Sequence, residues 1–235
     1  MTESFLHQTT RLTDVETSKG KSLTMYEANM SDEGKDTKRL HSFGCEVAYS
    51  AFNIKRISPQ LEKEIYDDMI DHHIVFALNL QGEPVGFGSF DLVQKDEKKI
   101  LHVVQLITNQ EVRKQGVGTE IVKQALKSAE ETQTIDCIAG ITQSPILAEA
   151  IIGCCDPVYP ITALPDEEVI NLGRALQGRS KIQEPMHPVT LITKDVLVPS
   201  LLKKRFQSEL PAINAFFKQY VGPRDAAFII GRPRI

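Results

Sequence analysis

The stretch VRKQGVGTEIV, Val112 to Val122, decides how this chain is read. Gly116 and Gly118 stand one residue apart, and Arg113 lies three residues before the first of them. An amphipathic run follows, with Val117, Ile121, Val122 and Ala125 on one face and Leu126 and Ala129 extending it. Upstream, Ile100 to Thr108 reads as a strand. The stretch is therefore a strand-to-helix junction. At a helix start several backbone N–H groups point outward without partners, and the helix dipole favours an anion there. Glycines let a diphosphate approach that backbone closely. Arg113 and Lys114 add positive charge, and Thr119 adds a hydroxyl.

Two familiar phosphate motifs are excluded. A dinucleotide fingerprint needs a third small residue, G-x-G-x-x-G or G-x-G-x-x-A, and here Gly118 is followed by Thr119, Glu120 and Ile121. A P-loop needs Gly-Lys-Ser/Thr, which is absent. Gly86-Phe87-Gly88 is a second G-x-G, but it sits inside a strand pattern, where close backbone approach or a bulge explains it better.

Working outward, Ser22 to Glu27 alternates as a strand, with residues 1 to about 20 a polar lead-in or a late-added strand. Ser31-Asp32-Glu33 is a helix start, and Leu40, Phe43, Val47 and Ala51 give that helix its apolar face, with Gly34 and Gly44 against it. Ser58-Pro59 starts a second helix, striped by Leu61, Ile65 and Met69. Ile74 to Leu80, Val85 to Val93 and Ile100 to Thr108 form an antiparallel meander, joined by a turn at Gln81–Pro84 and a charged turn at Gln94–Lys99. After the quoted helix come a strand, Ile135 to Ile141, and a short helix, Pro145 to Ile152. Leaving a strand by a helix and entering the next strand suggests a parallel neighbour.

The expected architecture is a mixed α/β fold, β-α-α-β-β-β-α-β-α. Residues 1–20 are its lead-in, 21–160 its core, and 161–235 an extension completing the fold or an interface. In that extension Asp166 to Leu176 reads as a helix, Val189 to Val198 as one or two strands, Leu201 to Tyr220 as a helical pattern broken near Pro211, and Ala226 to Ile230 as a last strand. The Lys203-Lys204-Arg205 run is a solvated face. Arg224, Arg232 and Arg234 suit an acidic group or a partner subunit.

Composition narrows the function. The 235 residues are 41% hydrophobic and 25% charged, as in ordinary globular proteins. A net charge of −4 argues against a nucleic-acid binder. No apolar run is long enough to span a membrane. Cys45, Cys137, Cys154 and Cys155 form no C-x-x-C pair and read as buried free thiols of a cytoplasmic protein. His72-His73 reads as a helix end, and no metal is expected.

Arg113-Lys114-Gln115-Gly116-Val117-Gly118 resembles the Gln/Arg-x-x-Gly-x-Gly/Ala motif of the GNAT superfamily of acyl-CoA-dependent N-acyltransferases. The element order is similar too, over about Ser22 to Cys155. The resemblance implies acetyl-CoA as cosubstrate, its diphosphate on the backbone N–H groups of Arg113, Lys114, Gln115, Gly116, Val117, Gly118 and Thr119. It implies pantetheine against the backbone of Leu106, Ile107 and Thr108, with an oxyanion donor near Leu106. An amine would attack the thioester directly; the acceptor is open among small amines, amino acids, protein termini and lysines. The family often carries a Tyr in the helix after the next strand, and Gln143 to Cys155 has none. Tyr159 or Cys155 would then protonate the departing thiolate. The carboxylate common early on the central strand falls near Ile100, so His102 becomes the candidate base, ahead of Asp91 and Glu46. These departures leave a non-catalytic acyl-CoA-binding module as the alternative. A homodimer is open.

Overall fold

The computed structural model describes residues 10–29, 37–53, 58–179, 185–194 and 208–234. Among them are nine strands and six helices, in the mixed α/β class expected. The chain divides into two compact units, one of residues 1–91 and 103–131, the other of residues 92–102 and 132–235.

In the first unit, β1 (Thr10–Glu16), β2 (Ser22–Asn29), β3 (His73–Leu78) and β4 (Pro84–Lys95, as far as Asp91) pair antiparallel in that order. The end of β5 (Lys98–Thr108) neighbours β4. β3 is apolar on both faces, and Ile74 to Leu78 are all buried. α1 (Thr37–Phe52) turns Leu40, Val47 and Ala51 into the core, as its periodicity requires. α2 (Pro59–Asp67) begins where the sequence places it. The Ser58 hydroxyl accepts from the Leu61 N–H at 3.2 Å, and Pro59 occupies the first turn, where no donor is needed. Buried residues of these elements, among them Ile65, Met69, Phe76 and Phe87, make one continuous core.

Gly44 costs α1 helix propensity, and packing explains its presence. A Cβ there would lie 2.8 Å from the Met69 sulfur. Gly86 and Gly88 likewise admit α3 (Val117–Glu130): a Cβ on either would lie 3.0 Å from the Ile121 side chain. This is the close approach expected of that G-x-G. The β3–β4 register also shifts beside it, between Ala77 and Leu78.

In the second unit, β5 neighbours β6 (Cys137–Thr142), and β9 (Ala226–Pro233) lies between β6 and β7 (Cys155–Tyr159), antiparallel to both. β8 (Ile192–Thr193) adds a short pair to β9. α4 (Pro145–Ile152) is capped by the Ser144 hydroxyl on the Ile146 N–H. α5 (Glu167–Arg179) contributes Val169, Leu172 and Leu176 to a core shared with Cys137, Ala139, Phe228 and Ile230. α6 (Pro211–Tyr220) buries Ile213, Phe216 and Phe217. The late part of the chain thus completes the fold of this unit, since β9 supplies a partner to both β6 and β7.

Several expectations change in detail. Thr10–Glu16 takes the late-added strand alternative of the lead-in, and Cys155–Tyr159 is a strand the sequence pattern did not reveal. The charged turn shrinks to Asp96-Glu97, with Asp96 left-handed at φ 55°. His72 and His73 do not end α2, which stops at Asp67. His72 lies in a turn, and His73 opens β3 with its Nε2 3.0 Å from Glu27. Arg232 pairs with Asp166 and Glu168, and Arg234 donates to the Ile152 carbonyl, so both have partners within the chain. Ser31–Glu33, Gly34, Lys203–Arg205, and the 195–198 and 201–207 parts of the tail readings lie outside the described residues.

Gly231 tests the packing around β9. A Cβ there would fall 2.6 Å from the Cys155 Cβ and 2.9 Å from the Ile151 Cγ2. Gly231→Ala should cost about 1–3 kcal/mol by overpacking, read as a lower denaturant midpoint at unchanged slope. An unshifted midpoint would show that β7 and α4 yield freely.

Candidate active site

The quoted stretch is a loop and helix start belonging wholly to the first unit. Asn109 anchors it where β5 ends. Its N–H donates to the Val85 carbonyl at 2.8 Å and its Nδ2 to the Pro84 carbonyl at 2.9 Å. A single 3-10 turn, Gln110–Val112, then buries Val112. The Arg113 N–H donates to the Gln110 carbonyl and the Gln115 N–H to the Val112 carbonyl, which fold the loop back on itself.

Lys114 and Gly116 both adopt left-handed conformations, at φ 62° and 78°. Gly116 is the N-cap of α3, and the first helical hydrogen bond runs from the Glu120 N–H to its carbonyl. Val117 and Gly118 are therefore the first two helical residues, whose N–H groups have no acceptor within the helix. Among the described residues, the N–H groups of Lys114, Gly116, Val117 and Gly118 have no hydrogen-bond acceptor. Left-handed residues in a turn leading into a helix make a backbone concavity suited to anions.

Arg113 behaves differently from the simple expectation of a phosphate cation. Its guanidinium donates to the carbonyl of Ala51, in the last turn of α1. A cation there satisfies an orphan carbonyl and opposes the negative end of the helix dipole. Burial lowers the guanidinium below its usual range, but not out of the charged state. Arg113 is therefore a strut between α1 and the loop, while Lys114 is exposed.

The sequence also concealed a neighbour. A Cβ on Gly116 would lie 3.3 Å from both the Ser18 Oγ and the Thr17 Cβ, in the turn between β1 and β2. That turn is held by the buried Thr17, whose hydroxyl accepts from the N–H groups of Lys19 and Lys21. No local motif could have placed it there, because β1 and β2 are far from the loop in sequence.

On β5, Ile107 is buried, while Leu106 and Thr108 are half-buried. The Gln105 Oε1 is buried without a hydrogen-bond partner among the described residues, as is the Asn109 Oδ1. Of the catalytic candidates, His102 is half-buried on β5 and belongs to the second unit, as does Tyr159. Tyr159 is 6% exposed and packs in that unit's core. Cys155 is buried, and desolvation pushes its thiol well up. Glu46 is exposed on α1, and Asp91 is half-buried.

Residues 45–145 match the acetyltransferase (GNAT) family. Over that segment the chain is similar to GNAT acetyltransferases. The matched segment includes the loop and the whole of the meander, β3 to β5. No curated protein sequence matches the chain. Similar solved structures include an aminoglycoside acetyltransferase from an uncultured soil metagenomic sample, in complex with sisomicin. It is 14% identical, with 50% of this chain and 76% of that one covered and a TM-score of 0.38. The GNAT domain of S. lividans PAT is 18% identical, covering 58% and 80% with a TM-score of 0.37. A protein provisionally assigned as a phosphinothricin N-acetyltransferase is 11% identical, covering 91% and 99% with a TM-score of 0.42. No helix among the described residues is long and apolar enough to cross a membrane.

Two outcomes follow for the loop and for the buried thiols. Gly116→Ala forces a side chain into a left-handed backbone 3.3 Å from Thr17 and Ser18. It should destabilise the fold by about 1–3 kcal/mol, read by chemical denaturation; unchanged denaturation would contradict the left-handed conformation at this residue. Burial pushes the Cys137 thiol up to about 12, so only ~0.01% is thiolate at pH 8. Native Cys137 should react with a thiol reagent at pH 8 only after unfolding, checked by mass spectrometry of the labelled peptide.

Proposed function

We propose that this protein is an acetyltransferase that moves the acetyl group of acetyl-CoA to a primary amine by direct attack. The start of α3 is the observation that carries this reading. Its N–H groups at Gly116, Val117 and Gly118, with that of Lys114, form the seat for the diphosphate, and Arg113, Gln115 and Thr119 complete the loop. In this proposal the pantetheine arm lies along the backbone of Leu106, Ile107 and Thr108.

The neutral amine nitrogen attacks the thioester carbonyl carbon. A backbone N–H near Leu106 stabilises the oxyanion, the C–S bond breaks, and the thiolate of CoA takes up a proton. We assign to His102 the removal of the proton from the attacking nitrogen, because an imidazole titrates in the working range and this one is half-buried. For the thiolate's proton we favour Tyr159 over Cys155, whose thiol is buried at 1% exposure. The acceptor class stays at primary amines: small amines, amino acids and protein amines all fit. Four buried, unbridged cysteines support a reducing, cytoplasmic setting.

A second reading, a module that binds acyl-CoA without turning it over, is favoured by the burial of Tyr159 in the second unit's core. One experiment separates the two. Saturating acetyl-CoA, at about a hundred times its Kd, should add ~2.7 kcal/mol and raise the melting temperature by roughly 5–10 °C. An amine panel should then release free CoA thiol. A thermal shift without thiol release from any amine supports the binding module; no shift with acetyl-, propionyl- or succinyl-CoA removes both readings.

Two variants locate the parts. Gly118→Trp should lower acetyl-CoA affinity at least about tenfold by filling the seat that only backbone can line; retained affinity by calorimetry would move the diphosphate elsewhere. His102→Ala should cost about 10²–10⁴-fold in rate and remove the acidic limb of the pH–rate profile. An unaltered profile excludes it as the base.

A further inference from the structure

We infer that His41, Cys45 and Glu62 form a site for a zinc-like divalent cation that joins α1 to α2. His41 and Cys45 stand four residues apart on α1, a spacing that puts both side chains on one face. Glu62 lies in the first turn of α2, which packs on that face. A ring nitrogen of His41, the Cys45 sulfur and a Glu62 carboxylate oxygen all lie within 4.8 Å of one another.

The spacing within the pair fits a metal polyhedron. The Cys45 sulfur is 3.4 Å from the His41 Nε2. In a tetrahedral zinc site with Zn–N of about 2.0–2.1 Å and Zn–S of about 2.3 Å, those two atoms would be separated by roughly 3.5 Å. The pair therefore needs little rearrangement to share an ion. Glu62 is exposed, so its carboxylate closes the remaining distance by a rotamer change.

The chemistry of the set is selective. One imidazole, one thiolate and one carboxylate suit a borderline-soft ion such as zinc, and disfavour magnesium and calcium, which take oxygen ligands. The surroundings support the ring orientation. His41 stacks edge-on against Tyr66 of α2, with ring centroids 5.2 Å apart, and its Nε2 now donates to the Glu62 carbonyl at 3.0 Å. Metal binding exchanges that hydrogen bond, and the weak sulfur contact, for coordination. Three protein ligands leave a fourth position for water or a donor atom of a small ligand, the arrangement of an open rather than a closed zinc site. Cys45 is 6% exposed and His41 half-buried, so the site sits at the rim of the helix pair, within reach of a solvated ion.

The site does not rest on the acyl transfer reading, and its test does not use activity. The untagged full-length protein, stripped with chelator, is titrated with cobalt(II) and zinc(II). Cobalt should bind at one equivalent with a near-ultraviolet thiolate-to-cobalt charge-transfer band, which zinc then displaces. Cys45→Ser should lose the band, and His41→Ala should weaken zinc at least about tenfold by calorimetry. Glu62→Gln should weaken it less, while Cys137→Ser should match the parent. Circular dichroism checks that each variant is folded, and the parent's own spectrum decides the matter if one is not. A parent protein without the band, a band that persists in Cys45→Ser, or zinc affinity unchanged in His41→Ala would each overturn the site.

Discussion

The backbone at Gly116 is the constraint on which the functional half of the structure depends. The chain must leave β5, turn through a short loop and enter α3 within a few residues. It does so by taking a left-handed step at Lys114 and another at Gly116. A side chain at the second step is disfavoured twice, by its φ of 78° and by the Thr17–Ser18 turn 3.3 Å away. The same geometry leaves a row of N–H groups at the start of α3 without acceptors. In the proposed reading, what would be a defect in a buried helix serves as a receptor for negative charge.

Around that step the first unit holds the loop from several sides. Asn109 ties its beginning to β4, and Arg113 ties its middle to the last turn of α1. Gly86 and Gly88 let Ile121 of α3 come down onto β4. These contacts use backbone and buried side chains, so the N–H row is positioned by rigid elements rather than by a mobile loop. The Arg113 side chain is thereby committed to the protein, and the positive character of the seat rests on the helix dipole, the backbone and Lys114.

Most of this was legible in the sequence because the decisive signals are local. Period-two and period-3.6 patterns gave β2, the meander, α1, α3 and α4, and the Ser-Pro pairs at 58–59 and 144–145 marked two helix starts to the residue. What escaped was set by distant partners. CDPVY has a proline and little alternation, and it becomes β7 only because β9 pairs with it. For TRLTDVE the sequence left a lead-in and a late-added strand both open; it is largely exposed, and the pairing with β2 decides for the strand. The charged turn is tighter than its composition suggested because Asp96 accepts a left-handed backbone. Histidine and cysteine four apart on α1 were visible, but their third companion sits on another helix, so sequence spacing could not assemble them.

The placement of β9 has a consequence for how the second unit is made. β6 is synthesised about 80 residues before the strand that becomes its antiparallel partner, and β7 about 65 before. At ribosomal speeds of about 5–20 residues per second, β6 waits roughly 4–16 s for that partner. During that interval an apolar strand offers an unsatisfied hydrogen-bonding edge, the feature that drives association between unfinished chains. The strands of the meander, by contrast, are consecutive in sequence, and each has its neighbour within a few residues.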